Sequence, residues 1–474
     1  MPNSKQPYQG NHKATMRQPP AKAWTGQPYP SYKDSGVEWL GQVPEHWEVR
    51  RLKNWLGINN KTLPEDTDPE YTFRYVDIGS VSTGYLTETP KRLRFGNAPS
   101  RARRIVAHGD TIVSTVRTYL KAVWYADNLQ EPLIASTGFA VLTPDKNTLP
   151  KFVSYICQSN PFTDLVTSES VGIAYPAIAE TRLGTFSVCI PPLSEQTAIA
   201  HFLDHATQRI QRHIQAKQKL IKLLEEQKQV IIHQAVTGQI NVQTGQPYPA
   251  YKDSGVEWLG EVPEHWTMRR LKTLCDMQSG DAITAMSIDD VGKYPVFGGN
   301  GIRGYTSQYT HDGSFVLIGR QGALCGNVHI ARGRFWASEH AVVTTLRCNH
   351  VLEWFGAALK TMDLNQYSIA AAQPGLSVDR VLNLEVQVPP VQEQTVIAHF
   401  LTHTTQRIEK HCATVKRTIN LLHEYRTRLI ADVVTGKLDV REAAARLPQS
   451  DPLPTAANCQ DGTELAAPGR SPRP

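Results

Sequence analysis

The chain has 474 residues, of which 40% are hydrophobic and 20% are charged, and its formal net charge is +6. These values are typical of a folded globular protein, and so mild a basic excess says little about an anionic partner. The first residues lack the apolar core of a signal peptide, and no apolar run approaches the roughly 20 residues of a membrane helix. We therefore expect a cytoplasmic protein with no membrane partner.

The cysteines have no spacing that suggests a metal site or a disulfide framework. They are scattered at positions 157, 189, 275, 325, 348, 412 and 459. Without a CxxC pair or a Cys/His ligand pattern, this odd number of cysteines is typical of reduced thiols in a cytosolic protein. The sequence predicts no metal site.

Two blocks of sequence each occur twice, in the same order. Block A covers residues 25–53 and 244–272, and its two copies differ at four positions. Block B covers residues 191–210 and 389–408. The segments between the blocks, 54–190 and 273–388, hardly match, and we call them the first and second variable segments. A chain that repeats its frame and varies its contents is built from two equivalent modules with different targets.

These repeats predict the domain boundaries. We expect a globular domain over 25–193, a helix over 194–240, a second globular domain over 244–391 and a second helix over 392–438. The polar, proline-rich ends, 1–24 and 445–474, predict disordered tails.

The elements follow in chain order. Block A is broken up by proline and glycine, and its apolar residues Trp39, Leu40, Val43 and Trp47 suggest anchors that fasten a looped segment to a larger body. The variable segments contain short runs rich in β-branched and aromatic residues, which predict strands of a mixed α/β domain. These runs are 72–81, 110–116, 138–143, 313–319 and 340–346.

Block B opens a run of about 40 residues without proline, and each run ends near a glycine, Gly238 or Gly436, suited to a helix C-cap. Apolar residues recur along it in alternating steps of three and four, which is the seam of a coiled coil. The seam residues are Leu203, Ile210, Ile214, Ile221, Leu224, Ile231, Leu401, Ile408, Ile419, Leu422 and Leu429. Each helix has a polar face, so the two are predicted to pair with each other, and the alternative is that each packs on its own module.

If the paired helices run antiparallel, a pseudo-two-fold axis relates the two halves, and the two globular domains lie at opposite ends of a rod. The predicted fold class is therefore α+β: two globular domains of mixed α/β structure joined by two long antiparallel coiled-coil helices. In this arrangement the first block A lies close to the end of the second helix.

Both repeated blocks resemble the specificity subunit of type I restriction–modification enzymes over roughly residues 25–440. The resemblance is carried by SGVEWLGQVPEHWEVRRLK in block A, by IPPLSEQTAIAHFLD at the start of block B, and by VTGQINV and VTGKLDV at the helix ends. Inside the variable segments, YVDIGSV, GDTIVSTVR, YPVFGGNGIRGY and VLIGRQGALCGNV are also similar to family segments.

The resemblance implies that the globular domains are two target recognition domains, each of which reads one half of a split site in double-stranded DNA. The paired helices would set the unread spacing and dock two methyltransferase (M) subunits, and restriction/translocase (R) subunits would join them. It implies adenine N6 methylation, with S-adenosylmethionine, ATP and Mg²⁺ bound by the partner subunits and no cofactor bound by this chain.

The residues themselves predict no catalytic group. An adenine N6 methyltransferase needs a polar-Pro-Pro-aromatic loop that binds the target amine and stacks the flipped base. The repeated Pro-Pro pairs, in 190–193 and 388–391, lack the polar and aromatic members. Residues 297–301 match a bare glycine-rich cofactor pattern, but their context predicts a tight turn between strands. Residues 434–437 lack the upstream glycine of a phosphate-binding loop.

Candidate DNA-binding residues are cations and polar groups in the variable segments, because arginine and lysine neutralise phosphates and arginine and glutamine also reach base edges. A solvated basic surface loop is the alternative for the first of these clusters. The candidates are Lys91, Arg92, Arg94, Arg101, Arg103, Arg104, Arg117, Lys121, Asn300, Arg303, Tyr305, Arg320 and Gln321. The last two lie in a glycine-flanked loop and are predicted to project freely. In block B, Glu195, Gln196, Glu393 and Gln394 are interpreted as residues that support the helix start.

The leading hypothesis is thus a non-catalytic DNA-recognition subunit of a restriction–modification complex. The alternatives are a specificity subunit of a methyltransferase-only complex, a purely structural coiled-coil scaffold, and a self-contained methyltransferase or nuclease. A scaffold accounts for the helices but not for two globular domains with different basic loops.

Overall fold

The structure is a computed structural model that describes residues 27–322, 324–368 and 375–448. The chain divides into two units, one formed by residues up to His213 and from Asn420 onward, and the other by Ile214–Ile419. Each unit therefore contains one variable segment together with parts of both long helices. The predicted tail 1–24 lies outside the described residues, as does 449–474.

The first block A forms three short strands that attach to the end of its variable segment. These are β1 (Tyr32–Asp34), β2 (Gln42–Pro44) and β3 (Glu48–Arg51). β1 pairs with β2, and β3 pairs antiparallel with β14 (Ser187–Ile190), the strand that leads into block B. The predicted anchors Leu40, Val43 and Trp47 are buried in the core of this unit.

Besides β14, the first variable segment contributes ten strands, arranged in two four-stranded sheets and one hairpin. They are β4 (Gly57–Ile58), β5 (Thr72–Val76), β6 (Val81–Ser82), β7 (Tyr85–Leu86), β8 (Lys91–Arg94), β9 (Ala102–Val106), β10 (Thr111–Ser114), β11 (Val123–Tyr125), β12 (Leu133–Ser136) and β13 (Phe139–Thr143). The strand orders are β11-β10-β13-β4 and β8-β5-β12-β9, and β6 pairs with β7. All three strand-like runs predicted here contain a strand.

Helices complete the first unit. They are α1 (Pro150–Gln158), α2 (Asn160–Ser168), α3 (Glu180–Leu183) and the start of α4 (Leu193–Thr237). Pro150 begins α1, where its missing N–H costs no hydrogen bond. Phe152, Val153 and Ile156 on α1 are buried in the same core as Trp47, so the variable segment and block A share one apolar interior.

The second unit repeats the frame around a different sheet. Block A gives β15 (Tyr251–Asp253), β16 (Glu261–Pro263) and β17 (Thr267–Arg270). The variable segment gives β18 (Cys275–Ser279), β19 (Tyr294–Gly298), β20 (Gly301–Thr306), β21 (His311–Gly319), β22 (Val328–Ala337), β23 (Ala341–Leu346) and β24 (Glu385–Val388). β17 pairs with β24, and the others form one six-stranded sheet in the order β18-β23-β21-β22-β19-β20.

The remaining helices are α5 (Leu352–Thr361), α6 (Val378–Leu382), α7 (Val391–Val434) and α8 (Arg441–Ala445). Helix α8 corrects the predicted tail, which was expected to start at 445. Ala444 is buried and Leu447 packs against the core of the first unit, so the folded part reaches at least residue 447.

The two long helices have 45 and 44 residues, each about 67 Å at 1.5 Å per residue. Each starts one residue before its predicted boundary and is followed by the predicted glycine, Gly238 or Gly436, at φ +77°. The predicted seam residues fall on the least exposed face. Six are buried, namely Leu203, Ile210, Ile214, Leu401, Ile408 and Leu429, and five are half-buried, namely Ile221, Leu224, Ile231, Ile419 and Leu422.

Within each unit, the start of one long helix packs against the end of the other. In the first unit Leu203 of α4 shares a core with Leu429 and Val433 of α7. In the second unit Val236 of α4 shares a core with Leu401 of α7, and Lys228 Nζ lies 2.5 Å from Glu409 Oε1.

The six described cysteines are free, and only Cys348 among them is exposed. Burial raises the pKa of the Cys189 and Cys275 thiols to about 12. Across the described ranges, no helix is both long and apolar enough to cross a membrane.

Candidate DNA interface

Block A and block B are held together by a buried carboxylate. In the first unit Glu195, at the start of α4, is 4% exposed. Tyr29 Oη and Trp47 Nε1 donate to its Oε1, the indole at 3.1 Å, and His46 Nε2 lies 2.8 Å from its Oε2. Burial, reinforced by this carboxylate, raises the pKa of the Tyr29 phenol, so the phenol stays protonated and donates.

The second unit builds the same cluster with the repeated residues. Trp266 Nε1 donates to Glu393 at 2.8 Å, Tyr248 Oη donates at 3.2 Å, and His265 Nε2 lies 2.7 Å away. The Glu393 side chain is 29% exposed, so the cluster in the second unit is more accessible to solvent than the cluster in the first. We call each set of four residues a glutamate clamp. The clamps explain why the two blocks recur together, because block A supplies the three aromatic residues and block B supplies the carboxylate.

The glutamine beside each clamp fastens the variable segment to the same helix start. Gln196 accepts from Leu149 N at 2.9 Å and donates to Pro191 O at 2.9 Å. Gln394 does the same with Val351 N, at 3.0 Å, and Pro389 O, at 2.9 Å. The structural interpretation of these residues is therefore correct, but their partners are side chains and loop amides rather than the helix dipole alone.

Among the candidate cations, the basic stretch 91–104 is not one continuous loop. Lys91, Arg92 and Arg94 lie on β8, and Arg103 and Arg104 lie on β9, at opposite edges of one four-stranded sheet. Three strand spacings separate these edges, or about 14 Å. The prediction of a single basic patch is wrong in this respect.

Most of these cations also have acidic partners from elsewhere in the fold. Arg92 pairs with Glu131, Arg94 with Glu70, Arg101 with Asp77, Arg104 with Glu180 and Lys121 with Asp164. The sequence could not show this, because no acid lies within the basic stretch itself. Lys91 and Arg103 have no such ion pair in the described chain, and Arg103 lies over the Phe95 ring at 4.8 Å.

Arg117 and Lys121 flank a turn that follows β10, and both have left-handed backbones, at φ +53° and +49°. Non-glycine residues adopt this conformation rarely, and strained backbone of this kind clusters at functional sites. Arg117 has no carboxylate partner among the described residues, and its guanidinium lies 4.8 Å from the Tyr175 ring centroid. Both residues follow the strand that the sequence predicts over 110–116.

In the second unit, residues 297–301 form the predicted turn. Gly298 pairs with Gly301 across the β19–β20 hairpin, so Gly299 and Asn300 make a two-residue connection. Asn300 Oδ1 accepts from Asn327 Nδ2 at 2.6 Å. Arg303 and Tyr305 follow on β20, with Arg303 exposed and Tyr305 half-buried.

Arg320 and Gln321 follow β21, as predicted, but they do not project freely. Arg320 Nη1 donates to Ser279 Oγ at 2.9 Å, and Gln321 Oε1 lies 3.2 Å from His340 Nδ1. Both side chains are therefore held in place by neighbours, and neither has a carboxylate partner among the described residues.

The structure places a short segment of each variable segment, which contains candidate residues, at an equivalent position. Ile178 N donates to Thr115 O and Leu376 N donates to Arg320 O, each at 2.9 Å. Residues 178 and 376 are 198 positions apart, the offset of block B. Val116 bridges Ala177 just as Gln321 bridges Gly375. Residues 115–117 and 320–322 thus occupy the same place, each after a sheet strand and beside the segment that leads into block B.

Sequence reasoning missed the segment 171–177, which lies beside Arg117 in this arrangement. Its composition, VGIAYPA, suggested neither charge nor a binding motif. The available signal was the alignment with 369–375, IAAAQPG, at the offset of block B. In that comparison the proline is kept, and four of the five residues before it differ.

A family model described as the type I restriction modification DNA specificity domain matches residues 44–222 and 263–417. The chain belongs to this family. The two matches, which together cover more than half of the chain, begin inside the two copies of block A. Each runs through a variable segment into a long helix, so the family domain coincides with one module.

Two curated relatives carry the same description. Over 137 residues the chain is 44% identical to the type I restriction enzyme EcoprrI specificity subunit of Escherichia coli, across 28% of this chain and 34% of that subunit. Over 440 residues it is 22% identical to the MjaVIII specificity subunit of Methanocaldococcus jannaschii, across 84% of this chain and 95% of that one. The chain thus matches only about a third of the Escherichia coli subunit.

Solved structures share the fold. A chain from work on complex assembly and conformational transition of the type I R-M system matches with a TM-score of 0.67 and 21% identity, over 84% of this chain and 99% of that one. The crystal structure of the HsdS subunit from Thermoanaerobacter tengcongensis matches with a TM-score of 0.51 and 21% identity, over 84% and 98%. At this identity the likeness shows the mixed α/β fold.

Proposed function

We propose that this chain is the non-catalytic DNA-recognition subunit of a type I restriction–modification complex, and that each recognition domain reads one half of a split site. The observation that carries the proposal is the equivalent placement of segments 115–117 and 320–322, of which the first contains Arg117 and the second contains Arg320 and Gln321. Different side chains stand at one structural position inside a repeated frame, which is what two readers of different half-sites require.

In this proposal the long helices pair as an antiparallel coiled coil that sets the distance between the half-sites. The core shared by Leu203 and Leu429, and the core shared by Val236 and Leu401, support this pairing. The outer positions supply a surface for partners, because Leu223 and Leu421 are 51% and 56% exposed and are 198 residues apart. Two equivalent apolar positions suit two copies of one methyltransferase subunit.

In this proposal the partner subunits carry out the catalytic reactions. The M subunits would bind S-adenosylmethionine and methylate adenine N6, and the R subunits would use ATP and Mg²⁺ to cleave unmodified DNA in the cytoplasm. The glutamate clamps keep each recognition domain fixed to the helix starts, so that the spacing between half-sites is set by rigid elements.

A domain exchange tests the proposal. The first variable segment is replaced by that of another family member with a different methylation pattern, and methylated adenines are mapped in a host that supplies the M subunits. We expect one half of the split site to change and the other to stay. A change in both halves, or in neither, would contradict the modular reading.

The non-catalytic role has its own test. The purified chain is incubated with S-adenosylmethionine and DNA, with and without the M subunits. We expect methyl transfer only when the M subunits are present, and transfer by the chain alone would contradict the proposal.

A further inference from the structure

An unusual apolar surface lies beside Arg117 in the first recognition domain. Residues 171–177 form a closed hairpin, in which Val171 N donates to Ala177 O at 2.9 Å and Ala177 N donates to Val171 O at 3.0 Å. Gly172 at φ +117° allows the tight path of the loop. The base is tied to the domain, since Arg117 N donates to Pro176 O at 2.8 Å. We call residues 171–177 the apolar hairpin.

The tip of this hairpin exposes large apolar side chains to solvent. Ile173 is fully exposed, Val171 is 82% exposed and Tyr175 is 61% exposed. The adjoining turn adds Tyr119 and Leu120, which are 53% and 41% exposed. Of the six exposed large apolar residues described in the first unit outside the long helices, five lie on these two segments. Such clustering marks a binding surface, because scattered single residues are the ordinary case.

The hairpin is also fixed in place. Thr118 Oγ1 donates to Ser170 Oγ at 2.8 Å, and Thr167 Oγ1 donates to Thr118 O at 3.2 Å, so the turn and the hairpin base are joined. The Arg117 guanidinium stacks on Tyr175 at 4.8 Å and has no carboxylate partner among the described residues. The apolar tip and the Arg117 guanidinium are therefore presented together as a preformed unit.

The position of the hairpin in the sequence argues for DNA rather than a protein partner. A partner common to both modules needs a surface that recurs, as Leu223 and Leu421 do. The large apolar residues of the hairpin do not recur together in the sequence: 198 residues on, Val171, Ile173 and Tyr175 correspond to Ile369, Ala371 and Gln373. A surface that differs between two halves of one frame is suited to the one ligand that also differs, the half-site.

Resting on the proposed function, we propose that the apolar hairpin reads a thymine in the first half-site, with Ile173 in contact with the C5-methyl group in the major groove. Aliphatic contact with that methyl group distinguishes thymine from the other bases. Arg117 beside it is placed to reach a neighbouring phosphate or guanine edge. Because the proposed reaction methylates adenine, each half-site contains at least one adenine–thymine pair.

The test removes the methyl group from DNA and the side chain from the protein. The full complex with M subunits is titrated, at fixed salt, with duplexes in which each thymine of the first half-site is replaced in turn by deoxyuridine. We expect one replacement to weaken binding by the wild-type complex about fourfold, the loss of one buried methyl-sized group. The Ile173→Ala complex should bind the thymine and deoxyuridine duplexes equally.

The matched control is Tyr85→Ala, which removes a 56% exposed apolar side chain from the same unit and should keep the wild-type preference. The inference is overturned if no replacement affects the wild type, or if Ile173→Ala keeps the preference. Unstacking detected by 2-aminopurine fluorescence without deoxyuridine sensitivity would instead indicate a minor-groove wedge, and would also overturn it. A wild-type complex without any half-site preference would contradict the proposed function itself.

Discussion

At the scale of single residues, the clearest case is a carboxylate that the sequence placed correctly and explained only in part. An acid near a helix N-terminus is stabilised by the helix dipole, and that was the expected role of Glu195 and Glu393. In the fold each of them accepts hydrogen bonds from a tyrosine and a tryptophan of block A. Their loss therefore affects two blocks that are about 150 residues apart.

We predict that Glu195→Ala lowers the free energy of unfolding by about 2–4 kcal/mol, because two buried donors, Tyr29 Oη and Trp47 Nε1, lose their acceptor. Glu393→Ala is the matched variant in the other unit, and its loss should be smaller, about 1–2 kcal/mol, because its clamp is partly solvated. Urea unfolding followed by tryptophan fluorescence measures both. An equal loss, or none, would show that the clamps do not stabilise the units as described.

A second prediction at this scale concerns base recognition. Arg320→Ala should relax the preference of the complex in the second half-site by roughly 5- to 150-fold, since a good side-chain contact to a base is worth about 1–3 kcal/mol. The matched control is Arg332→Ala, because Arg332 is already paired with Glu353 in the same unit. Competition binding at one salt concentration, with single-base variants of each half-site, separates the two outcomes. A change confined to the first half-site would contradict the placement.

At the scale of elements, the ends of the long helices are fitted to block A. A Cβ on Gly436 would lie 2.3 Å from Pro44 Cδ, and one on Gly238 would lie 2.4 Å from Pro263 Cδ. Glycine is therefore required at each of these C-caps for two reasons: the backbone is left-handed, and a proline approaches closely.

Gly436→Ala should thus destabilise the first unit more than Gly41→Ala does. Both residues have positive φ, at +77° and +63°, and both substitutions incur the left-handed cost of about 1–2 kcal/mol. Only Gly436 adds a steric clash, because nothing lies within 4 Å of a Cβ on Gly41. Thermal melting of the two variants measures the difference, and equal melting temperatures would mean that the proline yields without cost.

Prediction from sequence worked well for individual strands and helices, and poorly for the order of strands in the sheets and for ion pairs. Hydrophobic periodicity, β-branched composition and bounding turn residues predicted the strands at Thr111–Ser114 and Phe139–Thr143 and the long helices to within a few residues. Local sequence dictates these elements. The basic stretch 91–104 failed as a patch because sheet order put its halves on opposite edges. The ion pairs of Arg94 and Arg101 were likewise invisible, since Glu70 and Asp77 reach them only through strand pairing.

At the scale of the whole molecule, the repeat closes on itself. In the first unit, Asp439 N, just after α7, donates to Gln27 O of block A at 2.8 Å. In the second unit, the segment that follows α4 runs directly into the second block A, so the two are connected covalently. The first block A thus lies next to the end of α7 in the same way that the second block A lies next to the end of α4.

A circular permutant should therefore fold. Fusion of Val440 to Trp24 reproduces the length of the natural connection from Val242 to Thr244, and new ends are opened between 242 and 243. We expect circular dichroism and melting close to those of the wild type, apart from the loss of α8 and its buried Ala444. A permutant of the same length opened inside α4, between 213 and 214, is the control and should fail to fold cooperatively.

The sequence by itself determined the two-module plan, the long helices and their apolar seam, and the family, because repeats and periodicity are local and additive along the chain. The tertiary structure decided which side chains meet. It joined Glu195 to Tyr29 and Trp47, paired half of the predicted cations with acids, and set segments 115–117 and 320–322 at equivalent places. It also exposed Ile173 on a rigid hairpin. These outcomes depend on strand order and on contacts between distant residues, which no local pattern encodes.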